Sequence, residues 1–257
     1  MQALKNKLSG LREIFFFDNW FQLLLSNTVF RGEPLQVFRK GNVHFVSDKS
    51  KGDVNGLRNV IASPMYRVFL NDMQLPSRIS LLDIGANTGG FALMLQLNGH
   101  QPEQYVGVEM HPQTFSRLSF NLLHNMPGNP VLLNKAVYNE NGSIKVSFTG
   151  GGTGESVSDI IGTGETTLPT VTLNTLVEEH FAGKHIDLCK MDIEGSEFDI
   201  FFGNQFSKLQ QARFLLIEIH PHQKYTTEDL SVVLRNLGFN LVKQFDDVYL
   251  FKNNQPS

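Results

Sequence analysis

From residue 79 onward, short runs that are apolar throughout alternate with segments whose apolar residues recur at helical spacing. Ile79–Ile84, Gln104–Glu109, Val131–Val137, Ile186–Met191 and Arg213–Ile219 read as buried strands. Phe91–Leu97, Thr114–Asn125, a segment capped by Thr172 and running through His180, Ser196–Phe202, and Thr227–Leu237 before Gly238 read as helices. Ser143–Thr149 predicts an edge strand, and Asn240–Phe245 with Val248–Phe251 a closing hairpin. Apolar strands alternating with amphipathic helices imply an α/β fold with a mostly parallel sheet covered on both faces. Right-handed crossovers make that sheet doubly wound.

The first 76 residues follow a different pattern. Ile14–Phe30 places Phe17, Phe21, Leu24, Leu25 and Thr28 at helical spacing. Such a helix suits packing on the main body or a homodimer interface better than a lipid interface, because its polar positions lack Lys/Arg enrichment. Asp18, Asn19 and Gln22 interrupt the segment and it is short for a bilayer span, so no transmembrane or targeting segment is expected. Leu35–Arg39 and Val43–Val46 flank a Lys40-Gly41-Asn42 turn as a hairpin, and Asn55–Leu70 is mostly helical with a break near Pro64. The reading therefore divides the chain into an extension, 1–76, that contacts substrate or a second copy, and a cofactor domain, 77–257.

Composition narrows the function. The 257 residues carry 22 Lys/Arg against 25 Asp/Glu, so a nucleic-acid partner is not expected. The 21 phenylalanines suit a core more than a recognition surface. Cys189 is the one cysteine, which excludes a disulfide framework and favours a reducing, cytoplasmic setting. Lying within an apolar strand, it reads as a small buried hydrophobe.

Doubly wound sheets bind ligands outside the carboxyl ends of their strands. Four places qualify: Asp83–Gly90, Glu109–His111, Met191–Gly195 and Glu218–His222. Asp83-Ile84-Gly85-Ala86-Asn87-Thr88-Gly89-Gly90 joins the first strand to its helix, where glycines permit a tight turn and free helix N–H groups suit an anion. Asn87 stands where a dinucleotide fingerprint needs its second glycine, which weakens a nicotinamide-dependent oxidoreductase; no Gly-Lys-Ser/Thr follows, which excludes a P-loop. Glu109, 24 residues beyond Gly85, is placed to accept both hydroxyls of an adenosine ribose, in NAD or in S-adenosylmethionine.

The glycine loop resembles that of class I methyltransferases. Together with Glu109, Lys190-Met191-Asp192-Ile193-Glu194-Gly195-Ser196-Glu197 and Ile217-Glu218-Ile219-His220-Pro221, it is similar to the FkbM family over about Ser77–Phe251. The resemblance implies a seven-stranded Rossmann-like sheet and S-adenosylmethionine-dependent O-methylation of a small-molecule or glycan hydroxyl. It implies that Asp83, Gly85, Ala86, Asn87, Thr88 and Gly89 hold the methionine portion and that Glu109 binds the ribose. Met110 would pack on the adenine, and Asn134–Ala136 would border its amino edge. Asp192 would lie beside the cofactor.

An alcohol is a poor nucleophile at neutral pH, so methyl transfer calls for a base or a metal. Asp192, Glu194 and His220 are the catalytic candidates, while Asp192, Glu218 and His220 could hold Mg2+ or another divalent cation. Simpler roles compete: Glu194 and Glu197 at the helix start, His220 as a strand end, His222 in solvent. Gly150–Thr167 reads either as a mobile lid over the acceptor or as a disordered glycine-rich loop. The non-enzymatic alternative is an S-adenosylmethionine-binding module without turnover.

Overall fold

The computed structural model describes residues 13–29, 33–51, 53–148, 161, 164 and 166–254, without the side chains of 54–56. The strands are β1 (Leu35–Lys40), β2 (Val43–Asp48), β3 (Arg78–Ile84), β4 (Gln101–Val108), β5 (Val131–Leu133), β6 (Ala136–Val137), β7 (Gly142–Val146), β8 (Thr166–Val171), β9 (Ile186–Met191), β10 (Ala212–Glu218), β11 (Phe239–Phe245) and β12 (Val248–Asn253). The helices that matter below are α1 (Trp20–Thr28), α2 (Gly90–Leu97), α3 (Pro112–Asn125), α4 (Leu173–Phe181), α5 (Glu197–Phe201) and α6 (Thr227–Asn236).

Seven strands form the central sheet in the order β11-β12-β10-β9-β3-β4-β5. The pairs β5/β4, β4/β3, β3/β9 and β9/β10 are parallel, and β12 runs antiparallel to both neighbours. This is the expected doubly wound α/β sheet, with the C-terminal hairpin split so that its second strand lies inside. The chain works outward from β3 in both directions, which makes the β3–β9 boundary the switch point.

Alternation along each strand supplies two cores. Leu81, Leu188, Phe214 and Leu216 join one cluster with Phe91 and Leu93 of α2, Leu118 and Leu122 of α3, and Phe17, Phe38, Phe45 and Phe69 from before the sheet. Leu82, Ile84, Cys189, Met191, Leu215 and Ile217 face the other way, against Leu176 and Phe181 of α4, Phe198 and Phe201 of α5, and Leu230 and Leu234 of α6. Cys189 is fully buried there, and burial pushes its thiol far above the usual range. The leading residues therefore pack into the same core as the sheet.

Side-chain amides join the β1–β2 hairpin to α3. Asn125 and Asn121, one helical turn apart, use their Oδ1 atoms to accept from His44 N and Val46 N at 2.8 Å each. Their Nδ2 groups donate back to the carbonyls of the same two residues. A helix face thus takes the place of a third strand on the edge of β2. Nearby, the buried Asp53 carboxylate pairs with Arg117 of α3 at 2.6 Å.

Several local expectations change. The helix expected over Ile14–Phe30 is interrupted: residues 13–16 are helical, the chain turns, and α1 begins at Trp20. The break lies where Asn19 docks on β1, donating to Val37 O and accepting from Arg39 N. The buried residue of α1 is Leu23, whereas Phe21 and Thr28 are exposed. The third strand stops at Leu133, because the Asn134 side chain takes the Glu109 and Met110 carbonyls and turns the chain away. Ala136–Val137 then pairs with β8 in a separate sheet ordered β6-β8-β7. The edge strand expected at Ser143–Thr149 is β7, on that smaller sheet. β8 is an additional strand that lies between the glycine-rich loop and the helix cap at Thr172 and includes Pro169. The expected lid, 150–167, lies almost wholly outside the described residues. No described helix is long and apolar enough to cross a membrane.

Candidate active site

The site begins where β3 meets β9. Asp192 N donates to Ile84 O at 3.0 Å, bringing the two strand ends into contact. Gly85 turns the chain at φ +71, and a Cβ there would lie 1.7 Å from Asp192 O, so no larger residue fits without moving one strand end. Asn87 (φ +49) and Gly89 (φ +93) complete the left-handed turns into α2. Asparagine tolerates this conformation, and its Oδ1 accepts from Thr88 N at 2.8 Å. Thr88 is fully buried, with no partner for its hydroxyl oxygen among the described residues.

Glu109 follows β4 and faces this loop. Its two oxygens accept from Asn87 N at 2.9 Å and His111 N at 2.8 Å. Burial pushes its carboxyl up to about 7, although both N–H groups pull the other way. Asn134 donates to the carbonyls of Glu109 and Met110 at 2.8 and 2.9 Å, holding the end of β4 in place. Met110 packs on a small cluster with Tyr138, Ile144 and Phe148, in which Ala136 is buried.

Beneath the loop is a charged triplet with one member that sequence reasoning did not single out. Lys190 Nζ donates to Gly85 O at 2.7 Å and Asp192 Oδ2 at 3.4 Å, and lies 3.8 Å from Asp83 Oδ1. Tyr105 donates its hydroxyl to Asp83 Oδ2 at 3.0 Å. Burial pushes the Asp83 carboxyl up, with Lys190 opposing. Burial would lower the Lys190 pKa, but Asp192, Asp83 and Glu218 more than reverse this and raise it. Asp83 has no exposed surface, so it supports the loop from below. A lysine inside an apolar strand was the available signal, since a buried ammonium requires carboxylate partners.

At the ends of β9 and β10 the structure brings together Asp192, Glu194, Glu218 and His220. Ligand atoms of Asp192, Glu218 and His220 all lie within 4.8 Å of one another. His220 Nδ1 is 3.0 Å from Glu197 Oε1, while Nε2 is 3.3 Å from Glu194 Oε2 and 4.0 Å from Glu218 Oε1. Glu194 reaches it from a left-handed backbone (φ +55) preceding Gly195. Burial opposes a charge on His220, but hydrogen bonds to Glu194 and Glu197 prevail and raise its pKa to about 11. Burial, then the Asp192 carboxylate, pushes Glu218 up to about 7.

Two further residues complete the cluster. Glu197, expected only as a helix-start acid, is fully buried and also accepts from Ile193 N at 3.3 Å. Tyr66, which lies before the sheet and carried no sequence signal, donates its hydroxyl to Glu218 Oε2 at 3.0 Å. His222, expected in solvent, is half-buried, its ring 4.9 Å from that of Phe198 and 5.3 Å from that of Tyr225. The chemistry available is one imidazolium donor beside a carboxylate that titrates near neutrality, joined through Asp192 and Lys190 to the Gly85–Gly89 loop.

The Methyltransferase FkbM domain profile matches residues 83–241, more than half the chain. No curated protein matches. Among solved structures, a methyltransferase FkbM from Methylobacillus flagellatus KT is 13% identical with a TM-score of 0.44, covering 68% of this chain and 44% of its own. Magnesium protoporphyrin IX methyltransferase from Synechocystis PCC 6803, with bound SAM, is 13% identical with a TM-score of 0.45, covering 79% and 81%. M. capricolum TrmK, in complex with S-adenosyl-homocysteine, is 12% identical with a TM-score of 0.40, covering 74% and 69%.

Proposed function

Because this chain belongs to the methyltransferase FkbM family, we propose that it is an S-adenosylmethionine-dependent O-methyltransferase acting on a hydroxyl of a sugar, glycan or natural product. The observation that carries this reading is the meeting, at one switch point, of the Gly85–Gly89 turn, the buried Glu109 carboxylate and the Asp192/Glu218/His220 cluster. The N–H groups at the start of α2 would hold the methionine carboxylate. Glu109 would accept from the ribose hydroxyls, and Met110 would flank the adenine.

Methyl transfer is an in-line displacement, with the acceptor oxygen held roughly 3–3.5 Å from the methyl carbon. The oxygen–carbon bond forms as the carbon–sulfur bond breaks, leaving S-adenosylhomocysteine, and the hydroxyl proton must be accepted. Neighbouring groups with separated pKa values assign the roles. His220, protonated between Glu194 and Glu197, serves as a hydrogen-bond donor. Glu218, titrating near 7, takes the proton, with Tyr66 fixing its other oxygen. Asp192 sustains that basicity by its charge and orients the acceptor hydroxyl.

A second reading is favoured by one observation, the convergence of three ligand atoms with Glu197 behind the His220 ring. A carboxylate on the far ring nitrogen is the usual support of a metal-bound imidazole. In this reading Asp192, Glu218 and His220 hold a divalent cation that displaces the Nε2 proton. Such an ion, when bound, acidifies the acceptor hydroxyl. Dialysis against EDTA separates the readings: Glu218 as base predicts unchanged turnover, and the cation reading predicts a loss restored by Mg2+ or Mn2+.

Glu109 gives a pH signature. Its carboxyl titrates at about 7 in the free protein, above the ordinary 4.5, and ribose hydroxyls donate to its ionised form. Binding below pH 7 must therefore expel a proton, and affinity falls about tenfold per pH unit as the pH drops below that value. Titrations from pH 5.5 to 8.5 should show this slope, and Glu109→Gln should flatten it. Acceptor identity is tested by screening sugars, glycolipids and hydroxylated natural products with methyl-labelled S-adenosylmethionine; label transferred only to nitrogen or carbon acceptors would reject O-methylation.

A further inference from the structure

Arg117, Asn121 and Asn125 stand four residues apart on α3 and share one face of the helix. Each binds the residues before the sheet: Arg117 pairs with Asp53, Asn121 accepts from Val46 N and Asn125 from His44 N. Asn121 also reaches a second element. Its Nδ2 donates to Thr88 O at 2.9 Å as well as to Val46 O at 3.1 Å, whereas Asn125 Nδ2 goes to His44 O and Asn121 O. One amide therefore bridges the β1–β2 hairpin and the Gly85–Gly89 loop.

Thr88 sits between Asn87 and Gly89, both left-handed, just before α2. The next residue also packs on α3: a Cβ on Gly89 would lie 2.8 Å from Leu122 Cδ2 and 3.3 Å from Leu118 Cδ1. The loop is thus held from α3 by a hydrogen bond at Thr88 and by close packing at Gly89. A buried carbonyl that loses its donor must find another, and turning Thr88 O toward one would swing the peptide that leads into α2. The first N–H groups of α2 lack partners within the helix, so their aim depends on that peptide.

We propose that Asn121 is a positioning residue for S-adenosylmethionine binding: by holding Val46 and Thr88 at once, it aims the start of α2 and makes the hairpin a contributor to cofactor affinity. The proposal rests on the S-adenosylmethionine reading above. With no exposed surface, Asn121 touches no ligand and acts through Thr88.

Asn121→Ala and Asn125→Ala form a matched pair. The first strips a partner from Val46 N, Val46 O and Thr88 O, the second from His44 N, His44 O and Asn121 O. Calorimetry with S-adenosylmethionine and thermal denaturation are run on both full-length variants and on the wild type. Both substitutions should lower Tm by loosening the hairpin, but Asn121→Ala should bind S-adenosylmethionine about tenfold more weakly than Asn125→Ala, or worse. Amide exchange in the wild type adds a readout that needs no variant: saturating S-adenosylmethionine should slow exchange at Val46 N–H more than at His44 N–H. Affinity in Asn121→Ala equal to or above that of Asn125→Ala overturns the proposal alone, as does protection at Val46 no greater than at His44. Should Asn121→Ala not fold, the exchange measurement decides. Wild-type protein that binds no S-adenosylmethionine overturns the cofactor reading and this proposal with it.

Discussion

Gly85→Ala should abolish S-adenosylmethionine binding and lower the melting temperature. The added Cβ would sit 1.7 Å from the backbone oxygen of Asp192, and the residue would have to hold φ +71. Both atoms belong to strand ends joined by the Asp192 N to Ile84 O bond, so relief requires opening the β3–β9 contact at the switch point. Overpacking together with a left-handed non-glycine residue costs about 2–4 kcal/mol. For a chain of this size that corresponds to a Tm lower by about 5–15 °C. The loop moves with Gly85, and Lys190 loses its acceptor there. Thermal denaturation and calorimetry on one preparation check both effects. Wild-type affinity in a folded Gly85→Ala protein would show that the loop is not the cofactor cradle.

Asp192→Asn should leave S-adenosylmethionine affinity within about tenfold while turnover falls by about 10²–10⁴, the usual contribution of a positioned acid–base system. The amide keeps the side chain's size but removes the charge that, after burial, holds Glu218 near 7. It also removes one carboxylate partner of Lys190, which keeps contacts with Gly85 O and Asp83. Single-turnover transfer of labelled methyl to the acceptor found by screening measures the chemical step. Glu218→Gln should show a loss of the same order, whereas full activity in Asp192→Asn removes this residue from the mechanism.

The sheet was legible because its strands are apolar throughout and punctuated by glycine and polar residues at their carboxyl ends. Those features also marked Gly85, Glu109, Asp192 and His220. What escaped depends on contacts between elements distant in sequence. Tyr66 lies 152 residues before its partner Glu218, and no local pattern links them. Asn121 and Asn125 read as polar positions on α3, yet their amides bind the edge of β2. The apolar period around Phe17 predicted one buried helix face; a dock at Asn19 broke the helix and turned Phe21 outward. β8 lies between β6 and β7, with Pro169 opposite Ser143, and no apolar run in Thr166–Val171 announces it.

The central claim, a site built for S-adenosylmethionine at the β3–β9 switch point, is tested most directly by calorimetry of the purified chain with S-adenosylmethionine and with NAD. Binding of S-adenosylmethionine at one site per chain, weakened by Glu109→Gln, with no heat from NAD, is the predicted result. Binding of NAD without S-adenosylmethionine would contradict it.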